Sequence, residues 1–153
     1  MNPTACELYR LLAEQTAVFS RKEAKLAQDL SLSIGELQCL CVIRASPKCS
    51  IRELTKLLQK RGSQLSRVID SLEDKGLVAR SLSRKDRRYV DVALTAEGSV
   101  LAGRIEEGGG KMFDRILEIM PAGKIEEAIE FVRLFMKLNG GGESIQKEAR
   151  SLT

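Results

Sequence analysis

The chain has 153 residues, of which 43% are apolar and 30% charged, with four cysteines, no histidine and a formal net charge of +4. That length suits one domain, or one domain with an oligomerisation extension, and a chain this size buries roughly 70% of its unfolded surface without covalent staples. The lack of histidine removes the commonest zinc ligand and the commonest general base, which speaks against a metal sensor or a hydrolase.

No nucleotide-binding loop and no nucleophile with a partner base is visible, so neither a catalytic residue, a metal nor a cofactor is expected. No apolar run approaches the roughly 20 residues that span a bilayer, and the first residues lack a signal-peptide pattern, so a cytosolic protein with no membrane partner is expected. Cys6, Cys39, Cys41 and Cys49 have no disulfide-framework spacing and would stay reduced there.

The first predicted helix is Glu7–Gln28, where Leu8, Leu11, Leu12, Ala13, Phe19 and Leu26 recur at helical spacing. Ser33-Ile-Gly-Glu36 reads as a capping box opening a helix over Ile34–Arg44, apolar almost all round and stopped by Pro47. On that helix Cys41 is placed on the most buried stripe. Ser50-Ile-Arg-Glu53 is a second capping box, opening a short helix to about Gln59. Arg61-Gly62 makes the turn and Ser63 caps a third helix, Ser63–Lys75. There Leu65, Val68, Ile69 and Leu72 form one apolar stripe, with Ser63, Ser66, Arg67 and Asp70 facing away and Gln64 at the edge.

Lys75-Gly76 supplies a C-cap. Leu77–Leu82 and Tyr89–Leu94 then read as paired strands of a hairpin. A helical region follows from Thr95 to about Met120, and Pro121 begins another over Ala122–Leu138. Gly108-Gly-Gly110 interrupts the former at a cost of roughly 2–3 kcal/mol relative to alanines, and predicts a kink, a break, a close helix approach or a widened ligand cavity. Ordered structure is expected to end at Gly140-Gly-Gly142.

Charge is distributed unevenly. Lys48 through Leu94 carry twelve Lys and Arg against six Asp and Glu, while the rest of the chain carries thirteen against fifteen. The hairpin tip alone holds Arg84, Lys85, Arg87 and Arg88 against Asp86. Clustered like charges repel, so such a tip persists best against an anionic partner. A polar-faced helix followed by a basic hairpin suggests a winged helix-turn-helix, which places the helix in a DNA major groove and the hairpin beside it. The outer helices carry more apolar surface than one small core covers, and packing against a second copy would bury it.

The fold expected is therefore mostly α (α+β): a winged helix-turn-helix with long N- and C-terminal dimerisation helices. Residues 1–31 form the N-terminal dimerisation helix, 32–98 the DNA-binding domain, 99–139 the C-terminal dimerisation helices and 140–153 a flexible tail.

Three blocks carry a resemblance to a known family. They are Ser50–Leu57, the run Leu65-Ser-Arg-Val-Ile-Asp-Ser-Leu-Glu-Asp-Lys-Gly-Leu-Val78, and Asp86-Arg-Arg with Leu94-Thr95 beyond it. Together they make the chain, over about residues 5–139, similar to the MarR (multiple antibiotic resistance regulator) family. The resemblance implies a homodimer joined through its first and last helices. It also implies binding to palindromic promoter DNA, usually as a repressor, and release by a small-molecule effector or an oxidant.

On this reading Arg88 is the foremost minor-groove contact of the wing, with Arg84, Lys85 and Arg87 beside it and Asp86 orienting the arginines. Ser63, Gln64, Ser66 and Arg67 are the recognition-helix readers, since arginine pairs bidentately with guanine and glutamine with adenine. Arg52, Lys56, Lys60 and Arg61 are phosphate candidates. Two alternatives stay open. One is a thiol-based redox regulator using Cys6, which loosely resembles the hydroperoxide-sensing branch of the family, although Ser33–Arg44 lacks the tyrosines that branch places on its second helix. The other is a winged-helix module for protein–protein contact.

Overall fold

A computed structural model of the chain describes residues 2–47, 49–83 and 89–140. The wing tip Arg84–Arg88 and the tail after Gly140 lie outside the described residues. The elements run α1 (Pro3–Asp29), α2 (Ile34–Ala45), β1 (Cys49–Ser50), α3 (Ile51–Leu57), α4 (Gly62–Asp74), β2 (Val78–Leu82), β3 (Val90–Leu94), α5 (Ala96–Ile119) and α6 (Ala122–Gly140). No single helix among the described residues is long and apolar enough to cross a membrane.

Local signals set most of these boundaries. Helix α1 starts four residues earlier than its apolar period suggests, because Asn2 Oδ1 accepts from Thr4 N at 3.0 Å and Pro3 sits at the first helical position. Both capping boxes form: Ser33 with Glu36, and Ser50 with Glu53. Helix α3 ends at Leu57, two residues short of expectation, and Gln59 turns the chain at φ 49°. The chain is helical again by Gly62, so Arg61 and not Ser63 is the N-cap, and no side chain caps this helix. Ser63 instead lies in the first turn of α4, its side chain on the surface.

The exit from α4 is a Schellman turn: Gly76 N donates to Glu73 O at 2.9 Å and Leu77 N to Leu72 O at 2.9 Å, with Gly76 at φ 69°. Leu72 and Leu77 are both buried, which supplies the apolar contact that accompanies this turn.

The strands form one antiparallel sheet in the order β1-β3-β2. Arg80 pairs with Val92 and Val78 with Leu94, while Cys49 pairs with Val92 from the other side. Two residues are too few to show a period, which is why β1 is not legible in the sequence. Val92, at the centre, is fully buried.

Thr95 ties the hairpin to α5. Its hydroxyl donates to Gly76 O at 2.7 Å and accepts from Gly98 N at 3.0 Å. A Cβ on Gly98 would lie 1.9 Å from Leu77 O, so only glycine fits there.

The described structure falls into two compact units, Met1–Gly109 and Gly110–Thr153, divided within α5. In the first, Leu37, Leu40, Ile43, Leu54, Leu65, Ile69, Leu72, Val78 and Val92 make the core. Cys39, not Cys41, lies on the most buried face of α2: it is fully enclosed, whereas Cys41 is half-buried. A helix apolar almost all round has no periodicity to tell its faces apart, so the neighbours decide. Arg44 links α2 to α5, donating to Glu106 Oε2 at 2.6 Å and to Ser99 O at 3.3 Å.

The helix runs on through Gly108–Gly110. A Cβ on Gly108 would meet Leu26 Cδ1 at 3.3 Å, and nothing lies within 4 Å at Gly109 or Gly110. In the second unit, Ile129, Val132, Leu134, Met136 and Leu138 of α6 are exposed, and Phe131 stacks on Phe135 with ring centroids 6.2 Å apart.

Candidate nucleic-acid interface

The amphipathic period of α4 buries Leu65, Ile69 and Leu72 completely, and that burial holds the opposite face out. Ser63, Gln64, Arg67 and Asp70 are exposed on it, and Ser66 is half-buried at its margin. Arg61 is exposed just ahead of the helix, so cations and amide donors concentrate at its N-terminal half, the end that meets base edges in helix-turn-helix proteins.

The phosphate candidates separate. Arg52 and Lys56 are exposed on α3, and Arg52 Nη1 donates to Tyr89 Oη at 3.3 Å, joining α3 to the root of the wing. Lys60 is half-buried, and its Nζ lies 4.0 Å from where a Cβ on Gly35 would sit. It is therefore turned back over the start of α2. The wing residues Arg84, Lys85, Asp86, Arg87 and Arg88 fall outside the described residues.

Two arrangements that support α4 are not among the sequence expectations. The first is Glu36, read from sequence only as a capping residue. It is buried and accepts from Ser33 N at 2.7 Å, from Ser71 Oγ at 2.7 Å and from Lys75 Nζ at 2.8 Å. Burial pushes its pKa up, but the Lys75 ammonium, the Ser33 backbone and the Ser71 hydroxyl outweigh that and hold it down at about 2. One carboxylate thus fastens α2 to the C-terminal end of α4.

The second is Arg80 on β2. Its Nη2 lies 2.5 Å from Asp70 Oδ1 and its Nη1 2.5 Å from Glu73 Oε2, and its backbone N donates to Glu73 Oε1 at 3.3 Å. The Asp70 hydrogen bond, opposed by partial burial and reinforced by Glu73, raises the Arg80 pKa above its ordinary value. The sequence signal was available: two carboxylates three apart on a helix, and an arginine on the next strand.

The thiols differ in setting. Burial pushes Cys39 up to about 12 and raises Cys41 and Cys49 as well, so all three are poor nucleophiles. Cys6 is exposed on α1. Among the described residues no group of three His, Cys, Asp or Glu could hold a metal ion. An open, mostly apolar depression of ≈ 330 Å³ runs along the first turns of α5, lined by Ala96, Glu97, Val100, Leu101 and Arg104, and none of Gly108–Gly110 borders it.

Comparison with known proteins places this geometry. The MarR family model matches residues 32–90, from the start of the α2 cap to the root of the wing. The HTH-type transcriptional repressor Rv2887 of Mycobacterium tuberculosis (strain ATCC 25618 / H37Rv) is 31% identical over 128 residues, which span 84% of this chain and 90% of that protein. Among solved structures, a MarR family transcriptional regulator from Silicibacter pomeroyi superposes with a TM-score of 0.75 at 21% identity, covering 87% of this chain and 90% of that one. FabT of Streptococcus pneumoniae, solved in complex with DNA, gives a TM-score of 0.68 at 23% identity, covering 86% and 96%. With the winged-helix fold, the exposed polar stripe of α4 and a relative matched over nine tenths of its length, the chain belongs to the MarR family of DNA-binding transcriptional regulators.

Proposed function

We propose that this protein is a repressor that binds palindromic promoter DNA as a homodimer and leaves it when a small-molecule effector binds. The observation that carries the DNA reading is α4, whose N-terminal half exposes Arg61, Ser63, Gln64 and Arg67 while its opposite face is wholly buried. Arginine and glutamine there read base edges, while Arg52 and Lys56 neutralise phosphates and set the register. The wing residues Arg84, Lys85, Arg87 and Arg88 reach the adjacent minor groove, with Asp86 orienting them.

Dimerisation is supported by the apolar side chains left in solvent: Leu8, Tyr9 and Leu11 on α1, and Val132, Leu134 and Leu138 on α6. Large exposed apolar faces mark interaction surfaces, and two-fold protein symmetry matches palindromic half-sites.

Selection from a randomised pool of double-stranded DNA at moderate salt tests the reading. The expected result is an inverted repeat with half-sites about one helical turn apart, lost on Arg67→Ala. Recovery of no enriched sequence, with and without candidate effectors, overturns it.

A further inference from the structure

We infer that Arg80 is a positioning residue for DNA reading: by pairing with Asp70 it neutralises a carboxylate on the reading face and leaves the Arg67 guanidinium free. The inference rests on the DNA-binding reading above and adds a residue that touches no DNA itself. The problem it solves is written into α4. Ser63, Arg67, Asp70 and Asp74 follow one another at spacings of four, three and four residues, so they share the stripe opposite Leu65, Ile69 and Leu72. Asp70 lies within one turn of Arg67, and oppositely charged side chains three apart on a helix are neighbours that pair. An uncommitted Asp70 would compete with a base edge for Arg67 and would repel the phosphates flanking the groove.

In the structure Asp70 is committed elsewhere. Arg80 spreads its guanidinium between Asp70 and Glu73, each at 2.5 Å, and its own backbone N adds a bond to Glu73 at 3.3 Å. A planar guanidinium holding two carboxylates from different nitrogens is fixed in direction, which a lysine at that position would not be. Arg80 is also more enclosed than either partner, its side chain 27% exposed against 59% for Asp70 and 40% for Glu73, so it is drawn in toward the sheet and not offered to DNA. Among the described residues Arg67 makes no ion pair. Glu73 lies off the reading stripe, so its role is to hold Arg80, and Asp70 is the group that needs holding.

The test is a double-mutant comparison of DNA affinity and melting temperature on the full chain, using the duplex recovered by selection. Arg80→Ala is expected to weaken binding roughly tenfold or more, comparable to losing a bidentate base contact. Adding Asp70→Asn to Arg80→Ala should recover most of that affinity while leaving the melting temperature where Arg80→Ala put it. Arg80→Gln, which keeps the packed stem, takes the place of Arg80→Ala if the latter fails to fold. A double variant that binds no better than the single overturns the inference and makes Arg80 a purely structural residue. Wild-type protein without affinity for any duplex overturns the DNA reading itself, a result visible before any variant is made.

Discussion

Helices α4 and α6 are both amphipathic or apolar stretches of ordinary length, yet they end up differently. In α4 the apolar residues Leu65, Ile69 and Leu72 are all fully buried within the same chain. In α6 Val132, Leu134 and Met136 stay half or more exposed, at 53%, 54% and 66%. The first helix has found its partners in α2, α3 and the sheet, and its polar face is thereby held in a fixed direction. The second carries apolar surface that a single copy of the chain does not cover. The difference separates a part of the molecule whose apolar side chains are covered within the chain from a part whose apolar side chains are left exposed.

The sharpest way to break that contrast is truncation. Leu65→Ala should lower the unfolding free energy by about 2–5 kcal/mol, since a fully enclosed leucine leaves a cavity. Denaturant unfolding should give that loss at every protein concentration. Leu134→Ala should instead act through concentration, shifting the oligomer equilibrium in analytical ultracentrifugation, with an intrinsic cost well below that of Leu65→Ala. Equal costs at all concentrations for both variants would erase the distinction.

Acid sharpens the comparison from the other side. Glu36 has a folded pKa of about 2 against an ordinary value near 4.5. A lowered folded pKa means the carboxylate stabilises the fold fully above the unfolded value. That contribution, on the order of 3 kcal/mol, is lost as pH falls from about 4.5 through about 2. Stability of the first unit should drop across that window, and Glu36→Gln should flatten the profile while lowering stability at neutral pH. A pH profile that Glu36→Gln leaves unchanged would assign the acid sensitivity to other carboxylates.

The smallest expected effect lies at the division between the two units. Nothing stands within 4 Å of a Cβ at Gly109, so Gly109→Ala should stabilise α5 by about 0.5–1 kcal/mol through helix propensity alone. A melting temperature that falls instead would mean that the helix needs glycine there for a bend or a contact.

Much of this architecture was legible before the structure. The two serine–glutamate capping boxes, the stripe of α4, the glycine exit at Gly76 and the paired strands that follow it each depend on residues close to one another in the chain, and each appears where expected. The polar face of α4 was legible for the same reason, since burying one side of a helix exposes the other.

What escaped was long-range or too short to have a pattern. Strand β1 is two residues long. The start of α4 one residue before Ser63 was decided by the left-handed turn at Gln59. Cys39 displaced Cys41 as the enclosed thiol because α2 is apolar on nearly every side. Glu36 looked like a local cap, but it also gathers Ser71 and Lys75 from 35 and 39 residues away.

By itself, then, the sequence determined which segments are helical, where α2 and α3 are capped, which face of α4 turns inward and where positive charge gathers, because these follow from backbone hydrogen bonding and side-chain periodicity over a turn or two. Only the tertiary structure decided which groups meet: Arg80 with Asp70 and Glu73, Lys75 with Glu36, and Gly98 against Leu77. Those meetings depend on the angles at which helices and strands pack. Such angles are set by the whole core at once, and no single stretch of residues records them.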